Sequence, residues 1–314
     1  MLPRDRGHGF TLRGHVKLSA GMLARNESWA LGMTARAVLQ WCDELIILDH
    51  ASTDDTRLIA MQVAWEHPKR VAVLYEPSPV WEEMRHRQRM LDTAREHGAT
   101  HFAIVDSDEI LTANLLPKIR GYVEETPARS ILMLPWVCLA RGPERYYSSG
   151  IWYRNWVVTA FQDAPQLNWS ASIRGGYDFH QRSPFGCAWG IHRPVDQALS
   201  NHQGGLMHLQ FVNERRLKAK QYLYQLTERL RWPGREPVSA VVARYRPAIV
   251  QSDPFVVSTA PAPIAWWGGY SNLLPHFHAA QEPWQIAEIS RLLREKPELA
   301  VGLDDFGLRA EMAA

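Results

Sequence analysis

Cysteine is scarce in this sequence. Cys42, Cys138 and Cys187 sit far apart and show no CxxC spacing. An odd count without metal-ligand spacing points to reduced thiols in a cytosolic protein. An excess of one charge is missing as well: 35 Lys and Arg face 33 Asp and Glu, for a formal net charge of +2. Nothing therefore demands a polyanionic partner, although a local basic face can sit inside a balanced total. Long hydrophobic runs are absent. The longest, ILMLPWVCLA (131–140), falls well short of the roughly 20 residues that span a bilayer. The opening MLPRDRGHGFTLRGHV has no apolar core of signal-peptide length, so a soluble, cytoplasmic protein is expected. No GxGxxG follows the first strand pattern and no GxxxxGK[ST] occurs, which speaks against a dinucleotide-binding fold of that type and against a P-loop enzyme.

What is present is ordinary globular composition, 46% hydrophobic and 22% charged over 314 residues, enough for one large domain or one with an appendage. After a loose polar stretch over residues 1–14, HVKLSAGMLA (15–24) reads as a strand. SWALGMTARAVLQWC (28–42) reads as a helix capped by Asn26 or Ser28. ELIILD (44–49) and VAVLYE (71–76) are short apolar runs of the kind buried on both faces. Between them, STDDTRLIAMQVAWEH (52–67) opens with capping residues and sets Leu58, Met61 and Trp65 on one helical face, which predicts the buried side. WEEMRHRQRMLDTAREHG (81–98) is a helix closed by Gly98, and HFAIVD (101–106) is a fourth strand. Strands alternating with helices imply crossover units and a mostly parallel α/β sheet flanked by helices.

From about residue 130 the rhythm changes to segments rich in Trp, Tyr, Gly and Pro, read as antiparallel strands and loops. Helices follow at 214–232, with Leu223, Leu226 and Leu230 on one face, and at 283–296; a Pro-rich connection lies between them and a frayed end after them.

Ligands bind at the carboxyl ends of strands in open parallel sheets. The polar residues at those ends are Arg25, Asn26 and Glu27, then Asp49, then Asp106, Ser107 and Asp108. Alternate residues of an extended chain point the same way, so Asp106 and Asp108 can converge. Hard oxygen ligands of this kind suit Mg²⁺ or Mn²⁺ held together with substrate phosphates. Such a metal neutralises a leaving diphosphate as its charge grows.

With these motifs in order, ARNES (24–28), ILDHASTDDT (47–56) and IVDSDEIL (104–111), the chain resembles the family 2-like glycosyltransferases of GT-A fold. The resemblance covers roughly residues 15–215 and leaves 216–314 as a C-terminal helical and aromatic extension, expected to face the acceptor. It implies a Rossmann-type catalytic domain and transfer of a sugar from a nucleotide-diphosphate sugar, a UDP-sugar by default. The acceptor is a glycan or lipid-linked saccharide, with a hydroxymethylated DNA base as an alternative. Ala24, Arg25, Asn26, Glu27 and Asp49 would line the nucleotide pocket. Asp106 and Asp108 would bind the metal with Ser107 beside them, and Arg87 would meet the diphosphate. GGLMHLQFVNERRLKAK (204–220) resembles the segment that supplies a further metal ligand, His208, with Gly204-Gly205 letting backbone approach a ligand and Lys218 and Lys220 near the phosphates. The base that activates the acceptor falls to Asp178 or His180, because Gln181 stands where some relatives carry Glu and an amide takes no proton. Trp266, Trp267 and Tyr270 either stack on the acceptor or belong to the core of the extension. The competing readings are a nucleotidylyltransferase, a DxD phosphatase and a catalytically silent nucleotide- or sugar-binding module.

Overall fold

A computed structural model describes residues 16–153, 155–169, 182–187, 190–192, 203–250 and 256–313. The expected alternation is there at the start. Strands β1 (Leu18–Ala24), β2 (Glu44–His50), β3 (Val71–Glu76) and β4 (His101–Ile104) are separated by helices α1 (Leu31–Val38), α2 (Thr56–Glu66) and α3 (Glu83–Glu96). The four strands pair in parallel in the order β3-β2-β1-β4. β1 and β2 are buried along their whole length, which is why ELIILD in β2 reads as a continuous apolar run. β3 is different from expectation: it forms the sheet edge and is only half-buried.

Two features of the first helices also depart from the sequence reading. α1 begins after Ala30 without a side-chain cap, and Asn26 and Ser28 are used elsewhere. α2 turns Leu58, Met61 and Trp65 outward, at 67%, 56% and 82% exposure. Its buried positions are the small or branched Thr56, Ala60 and Val63, which bring the helix close to its neighbours. An Arg36–Glu66 ion pair at 2.7 Å ties α1 to α2 across that contact.

The sheet continues with β5 (Glu109–Leu111), then, after α4 (Leu116–Glu125), β6 (Ile131–Cys138), β8 (Trp156–Gln162), β9 (Ile191–His192) and β10 (Leu206–His208), while β7 (Arg145–Tyr147) lies outside it and pairs antiparallel with the later strand Thr259–Pro261. β8 runs antiparallel between β4 and β6, and β10 lies parallel to β6 and antiparallel to β5, giving a mixed, mostly parallel α/β sheet. Most of the 172–192 stretch lies outside the described residues.

The C-terminal part holds α5 (Glu214–Arg231), α6 (Val238–Val250), β11 (Thr259–Pro261), α7 (Gln285–Glu295) and α8 (Leu308–Ala313). Leu223, Leu226 and Leu230 of α5 meet Ile289 and Leu292 of α7 in one apolar cluster, as their spacing predicts. α6 occupies what reads as a Pro-rich connection, with Pro247 inside it. The chain end is not frayed: Leu308 is fully buried, and Glu311 pairs with Arg215 and Lys218. Among the described residues, no helix is long and apolar enough to cross a membrane.

Candidate active site

The chain lays β2 and β3 on one side of β1 and then returns to place β4 on the other. The carboxyl ends of β1 and β4 therefore flank a topological switch point, where open α/β sheets leave a crevice. The loop after β1 is stitched to the loop after β2. Asn26, in the left-handed region at φ 55°, accepts from the Thr53 amide at 2.7 Å and donates its own amide to Ser52 Oγ at 2.9 Å. Glu27 N donates to Thr56 Oγ1, and both the amide and the hydroxyl of Ser28 donate to Asp54. ARNES and ASTDDT thus form one rigid corner, and Asn26 is its staple.

A cleft of about 450 Å³ opens at this corner, a size ordinary for small-molecule sites. Arg25 and Glu27 line it from the loop after β1, Arg87 from α3, and Asp106, Ser107 and Asp108 from the loop after β4. α5 closes it with Lys220, Tyr224, Thr227 and Arg231, and α7 with Trp284, Gln285 and Glu288. The C-terminal extension therefore forms a wall of the same cleft. Asp49 stands beside Ala24 in the sheet register, fully buried. Its Oδ1 accepts from Ser52 N at 3.3 Å, and its Oδ2 has no partner within the protein.

The carboxylates after β4 are answered by the protein's own cations. Asp106 Oδ1 accepts from Arg87 at 3.2 Å and its Oδ2 from Arg182 at 2.9 Å. Arg182 forks onto Glu109, with 2.9 Å to each carboxylate oxygen, and also donates to the Ile104 and Val158 carbonyls. Burial pushes the Glu109 carboxyl up, with Arg182 opposing it. Asp108 faces His208 Nε2 at 3.3 Å and Lys220 Nζ at 3.7 Å. Burial works against ionising Asp108, but His208 and Lys220 outweigh it and hold the carboxyl well below its usual range. Glu27 goes the other way. Burial, then the Asp108 charge, push it up to about 8 against the pull of Lys220, Arg216 and the Trp29 hydrogen bond. His208 is stacked on Trp136 at 4.6 Å, and the Trp136 indole donates to Glu109, so the histidine is fixed from behind.

The site residues read from the sequence separate clearly. Arg25, Glu27, Arg87, Asp106, Ser107 and Asp108 line the cleft together, with His208 on Asp108. Arg87 is buried and engaged, whereas its helix neighbours Arg85 and Arg89 are exposed. Lys218 is a correction: it points away, onto Glu214 and Glu311, and Lys220 holds the place by the carboxylates. Gly204-Gly205 is another. A Cβ on Gly205 would fall 2.1 Å from the Pro135 carbonyl, so the glycine serves the β10–β6 packing rather than a ligand. Trp266 and Tyr270 are core residues packed with Trp29 and Met33, and the Trp267 indole donates to Pro143 O, which removes Trp266 and Tyr270 from acceptor stacking. Asp178 and His180 lie outside the described residues. Arg182 is the functional residue the sequence reading missed, since nothing local marks a loop arginine as the partner of a carboxylate 76 positions earlier.

Among the described residues, no three His, Cys, Asp or Glu side chains converge to hold a metal alone. Asp106 has both oxygens committed to arginines, which leaves Asp108 and His208 as the pair able to ligate. One carboxylate and one imidazole suit a Mn²⁺ or Mg²⁺ whose remaining ligands are phosphate oxygens and water.

No protein-family model matches the chain, and no curated protein does. In solved structures the chain is similar to S. aureus TarS 1-349 over 95% of its own length and 88% of that chain, at 12% identity and a TM-score of 0.42. The same protein in complex with UDP gives 13% identity and a TM-score of 0.41 over the same shares. It is also similar to glucosyl-3-phosphoglycerate synthase from Mycobacterium tuberculosis, in complex with Mn²⁺, UDP and phosphoglyceric acid. That match covers 39% of this chain and 43% of the other, at 20% identity and a TM-score of 0.29. At these identities and scores no residue's role passes from those proteins to this chain, and the roles rest on the geometry of the cleft.

Proposed function

We propose that the protein is a glycosyltransferase that takes its sugar from a nucleoside diphosphate sugar, a UDP-sugar by preference. One observation carries the reading: at the switch point, Asp108 lines a cleft that also presents Lys220 and Arg87, and His208 faces Asp108 at 3.3 Å. Such a group of side chains suits a ligand that brings a diphosphate and a divalent cation together. Glu27 lines the same cleft, where burial and then the Asp108 charge push its carboxyl up to about 8.

A bound Mn²⁺ or Mg²⁺ would neutralise charge on the departing diphosphate, held by Asp108 and His208. The chain's own residues do the rest. Lys220 and Arg87 orient the diphosphate, and the Asn26 corner fixes the loop that meets the nucleoside. The bond from the anomeric carbon to the phosphate oxygen breaks as the acceptor hydroxyl oxygen bonds to that carbon. The hydroxyl proton passes to a base, for which Asp178 and His180 are the candidates. The acceptor is a glycan or lipid-linked saccharide by default. A second reading has its own support: Asp106 is already neutralised by Arg87 and Arg182, which favours a transferase that meets the diphosphate with Arg and Lys alone.

The test is a screen of UDP-, GDP-, CMP- and TDP-sugars with Mn²⁺ and with EDTA, reading free nucleotide. Release from one donor, lost in Asp108→Ala, supports the proposal, and its persistence in EDTA selects the metal-free form. No release from any donor, with no nucleoside diphosphate bound, sinks it.

A further inference from the structure

We infer that Trp136 is a positioning residue for His208, and that its stacked indole replaces the hydrogen bond that ordinarily orients a metal-ligating histidine. The inference rests on the nucleotide-sugar reading with its divalent cation, and it concerns how the Asp108–His208 pair is kept ready. A histidine that ligates through one ring nitrogen ordinarily donates from the other to a carboxylate or carbonyl, which fixes both ring and tautomer. His208 lacks that device. Its Nε2 faces Asp108 at 3.3 Å, while its Nδ1 is buried and has no hydrogen-bond partner among the described residues. The χ2 torsion of a histidine is soft and close to two-fold. A half-turn about it exchanges nitrogen for carbon at each ring edge, so the Nε2 position needs another restraint.

Aromatic neighbours supply it. β10 lies parallel to β6, with Leu206 beside Trp136 and His208 beside Cys138. Alternate residues of a strand share a face, so Trp136 and His208 rise on the same side as diagonal neighbours. The indole lies 4.6 Å from the imidazole with only 17° between their planes, and Phe211 meets the imidazole edge-on at 5.5 Å and 84°. A half-turn about χ2 would drive the edge of the imidazole through the indole, so the stack bars it. The indole is held in turn: its Nε1 donates to Glu109 Oε1 at 2.8 Å, and Arg182 donates to both oxygens of that carboxylate. β5 sets Glu109 directly opposite His208 in the antiparallel register. Asp108, Glu109, Trp136 and His208 thus form one closed circuit, in which the orientation of the imidazole is set through Trp136. Filling space would require neither an indole plane parallel to the imidazole nor an indole N–H on Glu109.

The experiment measures Mn²⁺ dissociation constants by electron paramagnetic resonance at saturating UDP, and UDP affinity in EDTA beside them, for the full chain. Wild type is compared with Trp136→Phe, which keeps a ring on the imidazole, and with Trp136→Met, which fills space without a plane. Trp136→Met is expected to weaken Mn²⁺ about 10- to 100-fold, the range for losing the group that orients a metal ligand. Trp136→Phe is expected to restore most of that affinity, and UDP binding in EDTA is expected to be the same in all three. Unchanged Mn²⁺ affinity in Trp136→Met, no restoration by Trp136→Phe, or an equal loss of UDP binding in EDTA overturns the inference. A wild type that binds UDP but no Mn²⁺ overturns it while the nucleotide reading stands, and one that binds no UDP overturns both. Should Trp136→Met fail to fold, nitrogen-15 NMR of histidine-labelled wild type decides, with His208 assigned by comparison with His208→Gln. One sharp set of His208 ring signals supports the inference, and doubled or exchange-broadened signals overturn it.

Discussion

Replacing Arg182 by alanine removes the cation that holds the acidic end of the cleft together. The side chain is 8% exposed and makes five hydrogen bonds, to Asp106, both oxygens of Glu109, and the Ile104 and Val158 carbonyls. Glu109 is completely buried and, among the described residues, would keep the Trp136 indole and the Asp106 amide as donors. Breaking a buried pair from one side strands the other charge, at about 3–5 kcal/mol. Against a total stability of about 5–15 kcal/mol that is a large loss. At roughly 2 °C per kcal/mol for a chain of this size, Arg182→Ala is expected to lower Tm by about 6–10 °C in a thermal scan. Arg182→Lys keeps the charge and loses the fork, so it falls between the two. Adding Glu109→Gln to Arg182→Ala should recover part of the loss, because the stranded charge is then gone. A drop of less than about 2 °C in the single variant, with no recovery in the double, would refute the reasoning that Arg182 balances these carboxylates.

Three further outcomes follow from particular contacts. Lys220→Ala is expected to weaken UDP binding about 10- to 100-fold, the range of a lost charge-assisted hydrogen bond, while Lys218→Ala leaves it unchanged; calorimetric titration of both variants checks this. His86 is buried with neither ring nitrogen partnered, and burial, then the neighbouring His50, push it down to about 4. A histidine with a lowered folded value contributes stability above its ordinary value, lost as pH falls from about 6.5 towards 4. Tm measured across that window should therefore fall more for wild type than for His86→Phe, and parallel profiles would remove His86 as a cause. Trp266→Ala opens a cavity in the core around Trp29 and is expected to cost about 3–5 kcal/mol in denaturant unfolding, against no measurable change for Trp65→Gln on the exposed face of α2.

The strand ends were legible because each motif couples a local pattern to a local cause. An apolar run such as ELIILD carries its carboxylate at the carboxyl end of the strand, and the order of the strands then brings three such ends together. Arg87 was named through the resemblance, and the structure puts it in the cleft. Arg182 was not, because its pairing with Asp106 exists only after β8 folds back between β4 and β6. The Lys218 error was one of helix phase. Residues two apart on a helix do not face the same way, and Lys220, Tyr224, Thr227 and Arg231 form the stripe that meets the cleft. That periodicity was present in the sequence. α2 went wrong for another reason: its large apolar residues and its small ones lie on different faces, and close packing against α1 selected the small face.

The central claim, that the cleft holds a nucleoside diphosphate at Asp108, is tested most directly by calorimetric titration of the wild-type chain with UDP in Mn²⁺. Saturable one-to-one binding that Asp108→Ala abolishes, with the variant's Tm unchanged, is the expected result. Heat no greater than dilution for wild type, or equal binding by the variant, would contradict it.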